Sequence, residues 1–295
     1  MADKYDLAWF EEAWETTARQ DAATTAAAWD REAPHWDKRA RQQEGLPPRL
    51  RDTVAWLEQR GLLRPEFAVA DIGCGPGRFA AEFARRCRQV LAVDVSGQML
   101  EFGRRYAAEQ GLDNIEFACA DFPAADVAAA GWAGRFDLVF SAITPAVRGA
   151  DGLRNLLALS RAWCCNYSFV YNVNPLHDRL LEQVFSRPPQ RCKTSHSQWF
   201  YELFSLLWLR GYYPRADYYK ERRDERLPAA QETAEDLCRR LLPRVEQTAE
   251  AVRRILAFLE QEADGQGLVP ASSDCWFGIL LWDVREQGLE GRVQR

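Results

Sequence analysis

The stretch Asp71-Ile72-Gly73-Cys74-Gly75-Pro76-Gly77 puts a carboxylate at the end of an apolar run, with three glycines at alternate positions behind it. Glycines spaced in this way serve a backbone that must take positive φ or let a ligand touch the main chain. The turn leads into a helical pattern from Arg78, so it also offers free N–H groups to an anionic ligand group. A dinucleotide fingerprint reads G-x-G-x-x-G. Here the third glycine comes one residue early, and Arg78 holds the place of the last glycine. Asp71 would repel a pyrophosphate but attract a ligand that carries an ammonium beside a carboxylate.

Three further stations accompany the turn. Asp94 ends the run VLAVDV, where a carboxylate can accept hydrogen bonds from both hydroxyls of a ribose. Asp121-Phe122 follows FACA, pairing an acceptor for an exocyclic amine with an apolar ring that could cover a base. Ser141 ends FDLVFS. The elements that must hold these stations are strands at 67–72, 90–95, 115–120, 136–141 and 166–173, separated by helices at 78–88, 97–110 and 151–162. That alternation predicts a doubly wound α/β fold with a mostly parallel sheet, whose ligands lie at the carboxyl ends of the strands.

The segments VADIGCGPGRFA, LAVDVSGQML, FACADF and FDLVFSAITP resemble the successive motifs of the class I S-adenosylmethionine-dependent methyltransferases, over roughly residues 50–173. The resemblance implies a seven-stranded Rossmann-like sheet with an antiparallel last strand, and S-adenosylmethionine as cofactor. It implies that Asp71, Gly73, Cys74, Gly75 and Gly77 hold the methionyl end, and that Asp94 with Val95 holds the ribose. Met99 would pack near the adenosine, Asp121 and Phe122 would hold adenine, and Ser141 and Ala142 would line the transfer point. The segment AWDREAPHWDKRA is similar to an amino-terminal helix that closes over the cofactor in some family members, which adds Trp29 and Trp36 to the cofactor set. Residues 1–45 are then a helical lid, and residues 46–295 the methyltransferase domain.

Beyond residue 175 the strand–helix rhythm lapses. An apolar helix SQWFYELFSLLWLR, the segment GYYPRADYYKERR and a long helical stretch over 230–263 precede a last strand, CWFGILLWDV, which should be buried on both faces. Residues 176–265 thus read as a helical, substrate-side addition, with Thr144, Asn172, His177 and Trp199 as candidate acceptor-binding residues. His177 and His196 are the candidates for a general base, because imidazole titrates near neutrality. Asp113 and Asp126 read as caps. Cys164-Cys165 and Cys192-x-x-x-His196 lack paired metal-ligand spacing, so no metal is expected. The role of the cysteine pair stays open.

Composition narrows the function classes. Lys and Arg number 38 against 43 Asp and Glu, a formal charge of −5, which speaks against a dedicated nucleic-acid binder. No run approaches a membrane span and the first residues lack a signal pattern, so the expectation is a cytoplasmic protein with reduced thiols. The expected activity is methyl transfer to a small-molecule acceptor. The alternatives are an RNA or protein methyltransferase and a non-catalytic cofactor-binding protein. A homo-oligomer is left open.

Overall fold

The computed structural model describes residues 6–16, 22–42, 45–189, 195–241 and 245–286. Its sheet has seven strands in the order β3-β2-β1-β4-β5-β7-β6. They are β1 (Ala68–Ile72), β2 (Gln89–Asp94), β3 (Ile115–Cys119), β4 (Phe136–Ala142), β5 (Ser160–Val173), β6 (Arg215–Pro228) and β7 (Leu268–Asp283). The pairs β1–β2, β1–β4, β2–β3 and β4–β5 are all parallel. The chain runs outward from β1 to β3 and then restarts on the other side of β1. The carboxyl ends of β1 and β4 therefore flank a topological switch point, where open α/β sheets bind ligands.

Chain contacts divide the protein into two compact units. The first contains residues 1–168, 199–217 and 278–295. All five residues of β1 are buried, as parallel strands covered by helices on both faces require. Helix α4 (Arg78–Ala84) lays Phe79 and Phe83 against Phe140 of β4, with ring centroids 4.9 and 5.1 Å away. Helix α5 (Gly97–Glu109) starts at Ser96, whose hydroxyl accepts the Met99 N–H.

The amino-terminal helices, α1 (Leu7–Thr16) and α2 (Ala22–Gln42), belong to this first unit. Phe10 and Trp14 of α1 are buried, and Trp14 Nε1 donates to the Gly149 carbonyl at the start of α6 (Gly149–Leu159). Helix α3 (Pro48–Gln59) begins with proline in its first turn and buries Leu50, Val54 and Leu57, the spacing of an amphipathic face. Helix α8 (Ser195–Leu209) contributes Phe200, Leu203, Leu206 and Leu207 to the buried set.

The second unit contains residues 169–198 and 218–277. Its core joins α7 (Pro175–Arg179) and the turn after it to α9 (Gln231–Arg240) and α10 (Ala249–Glu262) through Leu176, Leu180, Leu237, Ile255 and Leu259.

Several sequence-based boundaries are corrected. The helix expected to reach residue 162 ends at Leu159, and β5 starts at once at Ser160. The helical stretch over 230–263 is two helices, the second capped by Thr248, whose hydroxyl accepts the Ala251 N–H. The segment after Gly211 holds β6, a strand the sequence reading did not assign. Its Tyr, Lys, Glu and Arg side chains are mostly exposed, the charged composition that suits the edge position β6 holds in the sheet. In β7 only Val269 and Phe277–Asp283 are buried; Trp276 is exposed. Among the described residues no helix is long and apolar enough to cross a membrane.

A Cβ at Gly152 would lie 2.7 Å from the Val147 carbonyl carbon and 3.0 Å from the Ala146 oxygen, both backbone. Gly152→Ala is therefore expected to displace the start of α6 and to cost about 1–3 kcal/mol, read as a lowered midpoint in urea denaturation.

Candidate functional site

The glycine turn is built as its sequence demands. Gly73, Gly75 and Gly77 have φ of 68°, 54° and 70°, the left-handed region that side chains with a Cβ resist. The Gly73 and Cys74 N–H groups donate to the Val93 carbonyl of β2, and the Gly77 N–H closes the turn on Cys74. A Cβ at Gly73 would fall 2.0 Å from Thr144 Oγ1, so the turn lies against the loop leaving β4. Nothing lies within 4 Å of a Cβ built at Gly75, which leaves that face of the turn open to a ligand.

Two acids flank the turn, Asp71 buried and Asp94 half-buried. Asp71 is 1 % exposed, and its Oδ2 has no hydrogen-bond partner. Burial, reinforced by the charge of Asp94 and opposed by a hydrogen bond from the Ala80 backbone, pushes its pKa up to about 7. Asp94 is also raised, by burial first, against hydrogen bonds from the backbone of Ser96, Gly75 and Val95, with Asp30 adding repulsion. The Gly75 N–H donates to Asp94 Oδ2 at 2.8 Å, and the Ser96 N–H donates to Oδ1 at 2.9 Å. Asp94 thus fastens the glycine turn as well as facing the space beside it. With about four acceptor sites and three of them taken by backbone N–H groups, the carboxylate keeps one for a further donor. The Cys74 thiol is held protonated, by burial and then by Asp71 and Asp94.

Asp30, which sequence reasoning passed over, ties α2 to this corner. Its Oδ1 accepts from the Ser96 hydroxyl at 2.5 Å and from the Gln98 N–H at 3.2 Å. An acid at the positive end of α5 is the one available signal, and it needed knowledge of which helix end it would meet. On the same helix Trp29 is half-buried and Trp36 is exposed.

The remaining predicted stations divide. Val95 is half-buried and Met99 is 3 % exposed at the start of α5. Asp121 is half-buried ahead of the short turn Phe122–Ala124. The Phe122 ring is packed in the core at 2 % exposure, and the Asn155 amide pins the carbonyls of Phe122, Pro123 and Ala125. The ring is thus not presented to solvent as the cover for a base that the sequence reading assigned to it. Ser141 is fully buried and accepts from Asn166 Nδ2 at 2.9 Å, while Ala142 is half-buried beside it. Next along the loop Ile143 takes φ of 51°, an outlier for a β-branched residue. Thr144 follows, its hydroxyl accepting the Ala146 N–H.

Asn172 and His177 lie in the second unit. Asn172 is exposed. The His177 imidazole has a buried Nε2 without a hydrogen-bond partner. Its pKa is drawn down to about 4 by burial and by Arg240, against Asp236. An imidazole of such low proton affinity is a poor general base near neutral pH. His196 starts α8, and its side chain lies outside the described residues, as does Cys192. Trp199, in the first unit, is half-buried beneath the guanidinium of Arg148. Cys164 and Cys165 are fully buried on β5, and burial pushes both thiols well up. Among the described residues no cluster of His, Cys, Asp or Glu could hold a metal ion.

Known proteins bear on this geometry. Residues 69–162 match the family model described as a methyltransferase domain. A 23S rRNA (uracil(1939)-C(5))-methyltransferase of Klebsiella pneumoniae is 36% identical over 105 residues, covering 35% of this chain and 23% of the relative. A malonyl-[acyl-carrier protein] O-methyltransferase of Enterobacter lignolyticus is 35% identical over 136 residues, 46% of this chain and 47% of the relative. The chain thus spans less than half the length of these relatives. Among solved structures, a Bacillus halodurans protein described as a methyltransferase has a TM-score of 0.50 at 16% identity, covering 78% of this chain and 98% of that one. The [4+2]-cyclase SpnF reaches 0.50 at 15% identity, covering 90% and 97%. The fold is that of the Rossmann-like methyltransferases, and residues 69–162 carry the match to a methyltransferase domain.

The folded pKa of Asp71 exceeds the value near 3.9 expected when unfolded, so the native state binds the proton more tightly. Its contribution to stability is therefore full below about pH 4, falls as pH rises towards about 7, and is level beyond. Asp71→Asn removes that slope. Urea denaturation of the ligand-free protein should find the variant gaining on the wild type by at least about 1 kcal/mol between pH 5 and pH 8.

Proposed function

We propose that this chain uses S-adenosylmethionine to methylate a small-molecule acceptor. The observation that carries the reading is the pair of acids around an open glycine turn, Asp71 fully buried with its Oδ2 lacking a partner and Asp94 half-buried. S-Adenosylmethionine carries a sulfonium, an ammonium and a carboxylate, a net positive charge that suits two acids; a dinucleotide brings a pyrophosphate that does not. When bound, the cofactor supplies a methyl group made electrophilic by the sulfonium.

This chain's residues bind and orient. In the proposed assignment Asp71 answers the ammonium, and the turn from Gly73 to Gly77, with Cys74, holds the methionyl end. Asp94 and Val95 take the ribose, Met99 and Asp121 flank the adenosine, and Phe122 supports that corner from the core. Ser141, Ala142 and Thr144 edge the transfer point. Residues 1–45 form the cover of this site, a reading supported by the bond from Asp30 to Ser96 and involving Trp29 and Trp36. Residues 176–265 form the acceptor-side addition, with Asn172, His177 and Trp199 as its candidate contacts. Because the cofactor brings the reactive group, alignment and exclusion of water are the chain's main tasks. An acceptor already anionic at neutral pH needs no general base, consistent with the low proton affinity of His177.

The relatives include both a small-acceptor and an RNA methyltransferase by name. Charge favours the first. Of the cations that could track phosphates between 176 and 223, five are engaged by acids: Arg179 with Glu262, Arg210 with Glu11, Lys220 with Asp274, Arg222 with Asp224 and Arg223 with Glu221. Fluorescence anisotropy with mixed RNA and single-stranded DNA should give no dissociation constant below about 10 μM at physiological salt, in the weak range of non-specific binders. Sub-micromolar binding with a steep salt slope would transfer the activity to nucleic acid.

Calorimetry is expected to give micromolar binding of S-adenosylhomocysteine and none comparable for NAD. Asp94→Ala should weaken the former about tenfold or more, because it strips acceptors from the Gly75 and Ser96 N–H groups as well as from the ribose. Tight NAD binding without a response to the nucleoside would end this reading.

A further inference from the structure

One half-buried cation in the first unit has no described counter-ion. The loop leaving β4 runs from Ile143, past Thr144 against Gly73 and through the turn Pro145–Val147, to Arg148, the residue that precedes α6. Helix α1 fixes that point from outside: Trp14 bonds the Gly149 carbonyl, and the Ala150 N–H donates to Glu15. The Arg148 guanidinium lies over the Trp199 ring. Burial alone draws its pKa down to about 9, with no charged group contributing. Asp151 pairs with Arg154 and Glu15 accepts from the backbone of Ala150, while the buried Glu202, one helical turn past Trp199 on α8, is not among the groups that shift Arg148. Among the described residues no carboxylate pairs with Arg148.

A partly desolvated guanidinium without a counter-ion is held at a cost that stacking on one indole offsets only in part. A counter-ion from outside the chain would complete the balance. The loop that carries Arg148 begins at the end of β4, beside the glycine turn, where an acceptor must approach. We propose that Arg148, stacked on Trp199, anchors a carboxylate group of the methyl acceptor. This rests on the function proposed above and names the acceptor class within it. A carboxylate is favoured over a phosphate because the site offers one cation. A phosphate dianion would draw on a second Lys or Arg, whereas a planar guanidinium matches a carboxylate with two parallel hydrogen bonds. Sequence reading missed Arg148, because its burial comes from Trp199, on a distant element.

The test uses the full chain loaded with S-adenosylhomocysteine. Acetate, benzoate and the malonyl thioester of N-acetylcysteamine are titrated against acetamide, benzamide and the acetyl thioester. Inorganic phosphate is a separate arm, and the readouts are tryptophan fluorescence and the Arg Nε–H resonances. At least one carboxylate should bind saturably at a dissociation constant on the order of 10 mM or better, while its uncharged counterpart does not. Arg148→Gln should weaken that binding about tenfold or more, and Arg148→Lys should restore part of it. S-Adenosylhomocysteine affinity should be equal in all three proteins. Unsaturable carboxylates, equal binding by Arg148→Gln, or phosphate binding more tightly than every carboxylate would each overturn the proposal. If Arg148→Gln does not fold, the wild-type contrast between carboxylate and amide, with the Arg Nε–H shift, decides alone. Failure of the wild type to bind S-adenosylhomocysteine would instead remove the function proposed above.

Discussion

Two carboxylates on either side of a glycine turn, Asp71 buried and Asp94 half-buried, set the terms for the rest of this structure. Asp71 is the penultimate residue of β1 and Asp94 ends β2; the charge of Asp94 raises the cost of ionising Asp71, and Asp30 raises that of Asp94. The fold meets that cost unequally. Asp94 is given backbone N–H donors from Gly75 and Ser96, which in turn fix the shape of the turn. Asp71 has one oxygen with no partner at all. A buried acceptor left unsatisfied costs about 1–3 kcal/mol, an expense that native proteins seldom carry without use. The glycines make the arrangement feasible, because only they take positive φ at three alternate positions without strain.

The same logic extends along the loop after β4. Ile143 holds a backbone conformation unusual for its type, Thr144 packs where any side chain at Gly73 would clash, and Arg148 ends the loop as a desolvated cation. Strain, close approach and uncompensated charge thus gather on the segments that meet at the switch point of the sheet. Asp71 at one end and the Arg148 guanidinium at the other, neither with an ion-pair partner among the described residues, are complementary to a cationic cofactor and an anionic acceptor, as proposed. The fold by itself would not make that distinction. The [4+2]-cyclase SpnF has the same architecture, so chemistry has to be argued from the residues.

Much of this was legible in the sequence. Parallel strands covered on both faces read as apolar runs, so β1, β2 and β4 were found nearly to the residue. The acid–glycine turn identified the site, because few other uses explain three glycines behind a buried acid. Edge strand β6 escaped notice because exposure lets charged residues occupy it. Phe122 was assigned to the ligand from its position after β3, yet Asn155, from α6, fixes that turn and leaves the ring in the core. Asp30 and Arg148 could not be read, since each draws its meaning from a partner on another element: Ser96 in one case, Trp199 in the other.

The central claim is that the cofactor's ammonium supplies the partner Asp71 lacks, and the ionisation of that one carboxyl tests it most directly. Carbon-13 NMR of the Asp71 carboxyl, assigned by comparison with Asp71→Asn, would follow its titration with and without S-adenosylmethionine. The account predicts a midpoint near 7 in the free protein and a clear fall once the cofactor is present, because a neighbouring cation favours the ionised form. A midpoint unmoved by saturating S-adenosylmethionine would contradict it.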